Sequence, residues 1–265
     1  MEEISTTMRT NSGISLRSAE EIEKLRASNR IVVETLNLLR EEIKPGIDTL
    51  YLDGLAFDNI RRRGAIPAFK GYQGYPATIC ASINHELVHG IPAKTKVLKA
   101  GDILTIDCGA ILDGYVGDAA VTYPVGEITS RLRLLLETTK RCLLSAIEKM
   151  REGYRLYDIS CAIQEVAEAT GFNVVRDYTG HGIGTKMHEP PHIPNYGIAG
   201  IGPRLKAGMV FALEPMLIDG GYRVKTAKDG WTVFPLDMSM TAHFEHSVVV
   251  TSGEPDILTA GIIWD

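Results

Sequence analysis

The sequence contains no uncharged apolar run approaching the roughly 20 residues that a membrane-crossing helix requires. It has no excess of positive charge either. Its 28 Lys and Arg stand against 33 Asp and Glu, a net charge of −5, which leaves no electrostatic footprint for nucleic acid. Cysteine is scarce: Cys80, Cys108, Cys142 and Cys161 are the four in 265 residues, and they form no CxxC pair. A chain this long buries enough core to do without disulfide staples. The first 16 residues are polar, with acidic Glu2 and Glu3 and no apolar core segment, so they do not read as a secretory signal. Hydrophobic residues at 45% and charged residues at 23% exclude a disordered or collagen-like chain. The expectation is a reduced, cytoplasmic, enzyme-sized protein with no membrane or nucleic-acid partner, preceded by a flexible polar lead over residues 1–16.

What the sequence does have is an internal repeat. Leu98-Lys99-Ala100-Gly101 opens an apolar run that reaches Asp107, and Leu205-Lys206-Ala207-Gly208 opens another that reaches Glu214, each 107 positions later. Lys44 and Gly46 match Arg151 and Gly153 at the same spacing, and Gly64 matches Gly171. Self-similarity at a fixed spacing marks duplicated units, and two copies at so long a period are no solenoid. The pattern predicts one domain over 17–265, built from two like halves (about 17–125 and 126–265) around a pseudo-twofold axis.

Each half opens with helices and continues into strands. Ser18 and Glu21 form a capping box ahead of Ile22, Leu25, Val32, Leu36, Leu39 and Ile43 at helical spacing, and Pro45-Gly46 stops that helix. Leu132, Leu135, Leu136, Leu143, Ile147 and Met150 repeat the stripe up to Gly153. A second helix in each half ends at Gly64 or Gly171, both placed as C-cap glycines. These stripes are core packing and carry no chemistry.

The strand regions differ because carboxylates interrupt them. Asp113-Gly114 between two apolar runs predicts a two-residue hairpin. Pairing Leu112 with Tyr115 sets Asp107 opposite Ala120 and puts Asp118 on the same face, a diagonal neighbour about 7–8 Å away. Two acids on one dry face repel each other and lose hydration. His181 and His188 flank the glycine-rich stretch Thr179 to Gly184, Glu214 ends the run Met209 to Leu213, and Glu245 lies inside Thr241 to Val250, which reads as one late strand. Singly, each has an ordinary structural reading as a hydrogen-bonded acid, an edge-strand charge or a loop histidine. Together, four carboxylates and an imidazole call for a counter-charge, which two divalent cations sharing bridging carboxylates would supply. Oxygen-dominated ligation with one imidazole suits Mn, Fe, Co or Zn ions and argues against a thiolate zinc site. Paired metals activate water and polarise a carbonyl, which is hydrolase chemistry.

The ensemble Val88-His89-Gly90-Ile91-Pro92, Ile106-Asp107-Cys108-Gly109, Gly117-Asp118, Thr179-Gly180-His181-Gly182-Ile183-Gly184, Met187-His188-Glu189-Pro190-Pro191, Leu213-Glu214-Pro215 and Glu245-His246-Ser247-Val248 closely resembles the bacterial-type type I methionine aminopeptidases, over roughly residues 15–253. The resemblance implies an α+β pita-bread fold, two helix–strand halves around a central antiparallel sheet. It implies a metallo-aminopeptidase that removes the initiator methionine when the second residue is small, by attack of a metal-activated hydroxide on the first peptide bond. Residue by residue, it assigns Asp107, Asp118 and Glu245 to one metal and Asp118, His181, Glu214 and Glu245 to the other. His89 and His188 become substrate-contacting catalytic groups, Glu214 the acid–base partner, and Tyr72, Tyr75, Cys80, Met187 and Trp231 the methionine pocket. Met187 and Gln73 depart from the Phe and His common at those places. A monomer is implied, acting on nascent polypeptide N-termini at the ribosome exit, although no basic patch marks a ribosome contact.

Other readings compete for the same residues. His85-Glu86-Leu87-Val88-His89 matches the zinc-protease motif HExxH, but that motif needs a helix and Gly90-Ile91-Pro92 follows at once. The glycines at 180, 182 and 184 do not complete a nucleotide-binding loop, since Met187 stands where the last glycine would be. Cys80 and Cys108 sit in apolar strands, where cysteine is usually packed. A proline-directed aminopeptidase shares the fold and the ligands, and a non-catalytic relative would be expected to have lost ligands that are all present here.

Overall fold

The computed structural model describes residues 8–10 and 13–264. In the first half, β1 (Met8–Arg9) pairs with β2 (Ser15–Leu16), followed by α1 (Ala19–Glu42), α2 (Thr49–Arg62), β3 (Ile66–Pro67), β4 (Ile79–Ile83), β5 (Ile103–Leu112) and β6 (Tyr115–Pro124). The second half runs α3 (Ser130–Ile147), α4 (Leu156–Ala169), β7 (Asn173–Val174), β8 (Thr179–Gly182), β9 (Glu189–Pro194), β10 (Val210–Leu213), β11 (Met216–Ile218), β12 (Val224–Thr226), β13 (Val233–Pro235), β14 (Thr241–His243), β15 (His246–Val249) and β16 (Asp256–Ile257). The repeat is structural: α2 and α4, and β3 and β7, begin and end 107 positions apart, and β5 and β10 start 107 apart. This is the α+β pita-bread architecture.

Local chemistry explains the element ends. Ser18 accepts from the Glu21 amide, and the Glu21 side chain accepts from the Ser18 amide, so the capping box at α1 forms as the sequence predicts. Gly64 and Gly171 take the left-handed conformation just past α2 and α4. Two expectations shift. Helix α3 stops at Ile147, short of Met150, which is buried under the following turn. Within the expected lead, the β1–β2 pairing and buried Ile14 start the ordered chain ahead of residue 17, while residues 1–7, 11 and 12 lie outside the described residues.

The central sheet comes in antiparallel pieces that meet at a seam. One piece is β3-β5-β4 with β6 on β5, and the other is β16-β15-β10-β8-β9. They meet where β6 faces the β14–β15 segment. There the Glu245 amide donates to the Ala120 carbonyl (2.8 Å), the Ser247 hydroxyl to the Asp118 carbonyl (2.9 Å), and the His243 amide to the Thr122 hydroxyl (2.9 Å). The hairpin register is the predicted one, Leu112 opposite Tyr115 and Asp107 opposite Ala120. Leu104, Ile106, Cys108, Ala119, Val121 and Tyr123 pack in one buried cluster with Leu36 and Leu39 of α1. The opposite face, carrying Asp107 and Asp118, is left for chemistry.

Gly117 shows how tightly α1 lies on this sheet. A Cβ there would sit 2.6 Å from the Asn29 amide nitrogen and 2.7 Å from the Ser28 carbonyl carbon, both backbone atoms that cannot swing aside. Replacing Gly117 by Ala is therefore expected to cost about 1–3 kcal/mol of stability. Exposed Gly54, inside α2 with open space around it, should instead gain up to about 1 kcal/mol on changing to Ala. Urea unfolding of the two variants checks both signs.

Candidate metal centre and substrate cleft

Two carboxylates sit at a shared kink. Strands β10 and β15 pair from Val210–Val249 to Leu213–His246, and β11 and β14 resume at Met216–His243. The intervening Glu214-Pro215 and Phe244-Glu245 belong to neither ladder. Pro215 has no amide to donate, and the Glu245 amide is spent on Ala120, so the ladder breaks at this point. The run from Thr241 to Val250 is thus two strands rather than the single strand expected, and the break turns Glu245 toward Asp118. Asp107 and Asp118 come from the unbroken β5–β6 hairpin across the seam. The Asp118 amide donates to the Asn29 side-chain oxygen of α1 (3.2 Å), which ties the acid-bearing strand β6 to the first helix.

His181 on β8 pairs opposite Ala212 on β10. Gly180 beside it permits that approach, since a Cβ there would lie 2.6 Å from the Ala212 carbonyl. His181 Nδ1 lies 3.0 Å from the Gly182 carbonyl, which only accepts, so this nitrogen carries the proton. The bare Nε2 then faces Glu214 at 3.5 Å and Asp118 at 3.8 Å. A lone pair directed at carboxylates is repulsive unless a proton or a metal cation lies between them.

The electrostatics agree. Asp118 and Glu245 are buried, whereas Asp107 and Glu214 keep some exposed area because the cleft opens onto them. Burial holds Asp107 up at about 7, and burial together with neighbouring acids holds Asp118, Glu214 and Glu245 well above the usual carboxylate range. His181 is driven down to about 3 by burial and His188, so it is neutral and free to ligate. Among the described residues no lysine or arginine pairs with any of the four acids. Asp107 Oδ1, Asp118 Oδ1 and Glu245 Oε1 are buried without hydrogen-bond partners. Ligand atoms of Asp118, His181 and Glu245 all lie within 4.8 Å of one another. Orphaned carboxylate oxygens around a neutral imidazole fit a divalent metal.

The cluster floors a cleft of about 200 Å³. All twelve residues singled out in the sequence line it: Tyr72, Tyr75, Cys80, His89, Asp107, Asp118, His181, Met187, His188, Glu214, Trp231 and Glu245. Tyr75 meets Trp231 edge-on (ring centroids 5.1 Å apart), and its hydroxyl is held by the Ile79 and Gly90 carbonyls, each 3.1 Å away. Gly109 makes room for this apolar end, since a Cβ would lie 2.7 Å from the Phe69 ring and 3.0 Å from the Met187 methyl. Cys80 is buried and its thiol is pushed up by burial and Asp107, so it packs as an apolar wall.

Two histidines stand over the cluster. His89 is held in the left-handed region (φ 58), uncommon for a residue with a Cβ, and sits edge-on to Tyr178 and Trp231. Burial and the proximity of His188 lower it to about 4. His188 Nδ1 lies 2.8 Å from the Tyr72 hydroxyl, and its ring stands 4.4 Å from that of His181. The HExxH match has no helical support. His85 lies in a turn, and Glu86 is committed to structure, accepting from the Ile83 amide (2.9 Å) and pairing with Lys96 (2.6 Å).

Sequence reasoning missed Phe69, Val88, Tyr178, Thr179 and His243, which also line the cleft. His243 is the notable omission. It is buried, neutral because burial and His89 lower it to about 3, and its Nε2 lies 3.8 Å from Glu214 and 4.0 Å from Glu245. The only signal in the sequence was its place two residues before Glu245.

The sequence profile of metallopeptidase family M24 matches residues 23–252. A methionine aminopeptidase of Clostridium acetobutylicum is 52% identical over 246 residues, covering 93% of this chain and 98% of the relative. Methionine aminopeptidase 1 of Bacillus subtilis is 49% identical over 243 residues, covering 92% and 98%. The crystal structure of a methionine aminopeptidase from Thermotoga maritima superposes with a TM-score of 0.91 at 45% identity, covering 93% of this chain and 99% of that one. With the profile spanning most of its length and the acid cluster in place, the chain belongs to metallopeptidase family M24.

Proposed function

We propose that the protein is a dinuclear metallo-aminopeptidase that removes N-terminal methionine from new polypeptides in the cytoplasm when the second residue is small. The observation that carries this reading is the placement of an uncompensated carboxylate–imidazole cluster at the floor of a cleft whose other end is apolar and thioether-friendly. Asp107, Asp118 and Glu245 would hold one ion, and Asp118, His181, Glu214 and Glu245 the other. Divalent metal of the Mn, Fe, Co or Zn type supplies Lewis acidity to the scissile carbonyl and lowers the pKa of water.

The chain's own groups do the rest. Tyr75, Cys80, Met187 and Trp231, with Phe69, enclose an unbranched side chain and keep water from it; methionine's flexible thioether suits such aromatic walls. His89 is neutral, so one ring N–H can donate to the scissile carbonyl or its developing charge. In the tautomer where Tyr72 donates to His188 Nδ1, the proton of His188 is on Nε2, which makes it a second donor. The Glu214 carboxylate, made more basic by burial and by Asp107, takes the proton of the attacking water and returns it to the leaving amine. The zinc-protease reading is not favoured, because Glu86 is held by Lys96 and the Ile83 amide.

Substrate choice tests the reading directly. Met-Ala-Ser should be cleaved after methionine, with peptides of bulky second residue cut slowly; preferential hydrolysis of Ala-Pro peptides would overturn it. Chelated enzyme should be inactive yet keep its far-UV circular dichroism, because the apolar cluster that packs α1 on the sheet lies on the face of the β5–β6 hairpin opposite Asp107 and Asp118.

Substitutions separate the roles. Asp118→Asn should abolish activity and weaken metal uptake, whereas His85→Ala should stay within a few-fold of wild type. His89→Ala should keep its metal and lose about 2.7–4 kcal/mol of transition-state stabilisation, read as kcat/KM. Metal analysis beside kinetics distinguishes these outcomes, and a metal-free, inactive His85→Ala would sink the dinuclear site.

A further inference from the structure

The sequence segment Ser15–Glu21 lies far from the acid cluster along the chain, yet it grips the loop that carries two cleft residues. Glu189 divides its carboxylate between the two. Oε1 accepts from the Thr185 and Lys186 amides (2.9 and 3.2 Å), closing the turn that presents Met187 and His188 to the cleft. Oε2 accepts from Arg17 Nη2 (2.5 Å) and the Ser15 hydroxyl (3.2 Å). Arg17 is itself held by further contacts. Its side chain is 3% exposed, Nη1 reaches Glu21 Oε1 (3.3 Å), and its amide donates to the Gly208 carbonyl (2.7 Å) just ahead of β10. The guanidinium occupies the space a side chain at Gly184 would need, and Gly208 is bare against the Arg17 carbonyl.

We propose that Arg17 is a positioning residue of the cleft: through its buried ion pair with Glu189 it locks the Gly184–Glu189 loop, and so sets where Met187 and His188 stand against substrate. The inference rests on the aminopeptidase reading above. Arg17 is not among the residues that line the cleft, and neither Glu189 nor Glu21, its ion-pair partners, belongs to the acid cluster, so its effect falls on substrate binding and leaves the metal site alone. A planar guanidinium reaches Glu189 and Glu21 together, which a single ammonium matches only in charge.

The test uses the full chain with saturating Mn²⁺ and the peptide Met-Ala-Ser. Arg17→Met is expected to raise KM at least tenfold with a smaller change in kcat, because a loosened pocket loses binding common to ground and transition states. L-methionine should inhibit it correspondingly more weakly, while calorimetric Mn²⁺ affinity stays at the wild-type value. Arg17→Lys should recover part of the KM. Glu189→Gln should move KM in the same direction, and Arg17→Met/Glu189→Gln should be no worse than the poorer single variant, as coupled partners require. If Arg17→Met does not fold, the double variant, in which position 189 no longer carries the charge that Arg17 answers, is read in its place. Unchanged KM in a folded variant, or loss of activity in step with lost Mn²⁺, overturns the proposal. A wild-type protein that fails to cleave the peptide sinks the functional reading instead, so the two failures are distinguishable.

Discussion

The structure depends on the cost of holding four carboxylates close together away from bulk water. Burial and mutual repulsion push all four upward, and no basic side chain among the described residues answers them. Left to themselves such groups take up protons or draw in water; a divalent cation removes the conflict at once. The two halves of the fold are what bring the acids together. Asp107 and Asp118 arrive on an unbroken hairpin, Glu214 and Glu245 on a ladder kinked where Pro215 withholds a donor. The seam between them is closed by hydrogen bonds from Glu245 and Ser247 to the backbone of β6.

The rest of the cleft is arranged around that floor. Histidine burial keeps the rings of His89, His181 and His243 neutral, so they enter as donors or ligands rather than as added charge. Glycines at 109, 180 and 184 each clear a specific volume, for Phe69 and Met187, for the Ala212 carbonyl, and for the Arg17 guanidinium. His89 and Gln73 both line the cleft with a left-handed backbone, and the carbonyl of Gly90, next to His89, is pinned by the Ala81 amide and the Tyr75 hydroxyl. Rigidity therefore comes from elements well outside the acid cluster, including a segment ahead of the first helix.

Much of this was legible in the residues. The 107-position repeat returned as matched helices and strands, because duplicated sequence carries duplicated caps, turns and apolar stripes. The Asp113-Gly114 turn fixed a register in which side chains alternate strictly between faces, so Asp107 and Asp118 had to share one. The placement of the acids was equally local, with Asp107, Asp118, Glu214 and Glu245 each interrupting or ending an apolar run.

What needed the tertiary structure were contacts between segments that no local pattern relates. The break between β14 and β15 follows from competition for the Glu245 amide by Ala120, more than a hundred residues away. His243 reads in sequence as one more strand residue, and only the kink brings it against Glu214. The HExxH match was settled by turn geometry and by Lys96 claiming Glu86. Arg17 sits in a stretch that looks like a polar lead, and only the packed chain sets it against Glu189. Periodicity, caps and turns are properties of neighbouring residues and so can be read along the chain. Which distant partner satisfies a buried charge or an amide is decided by the three-dimensional packing.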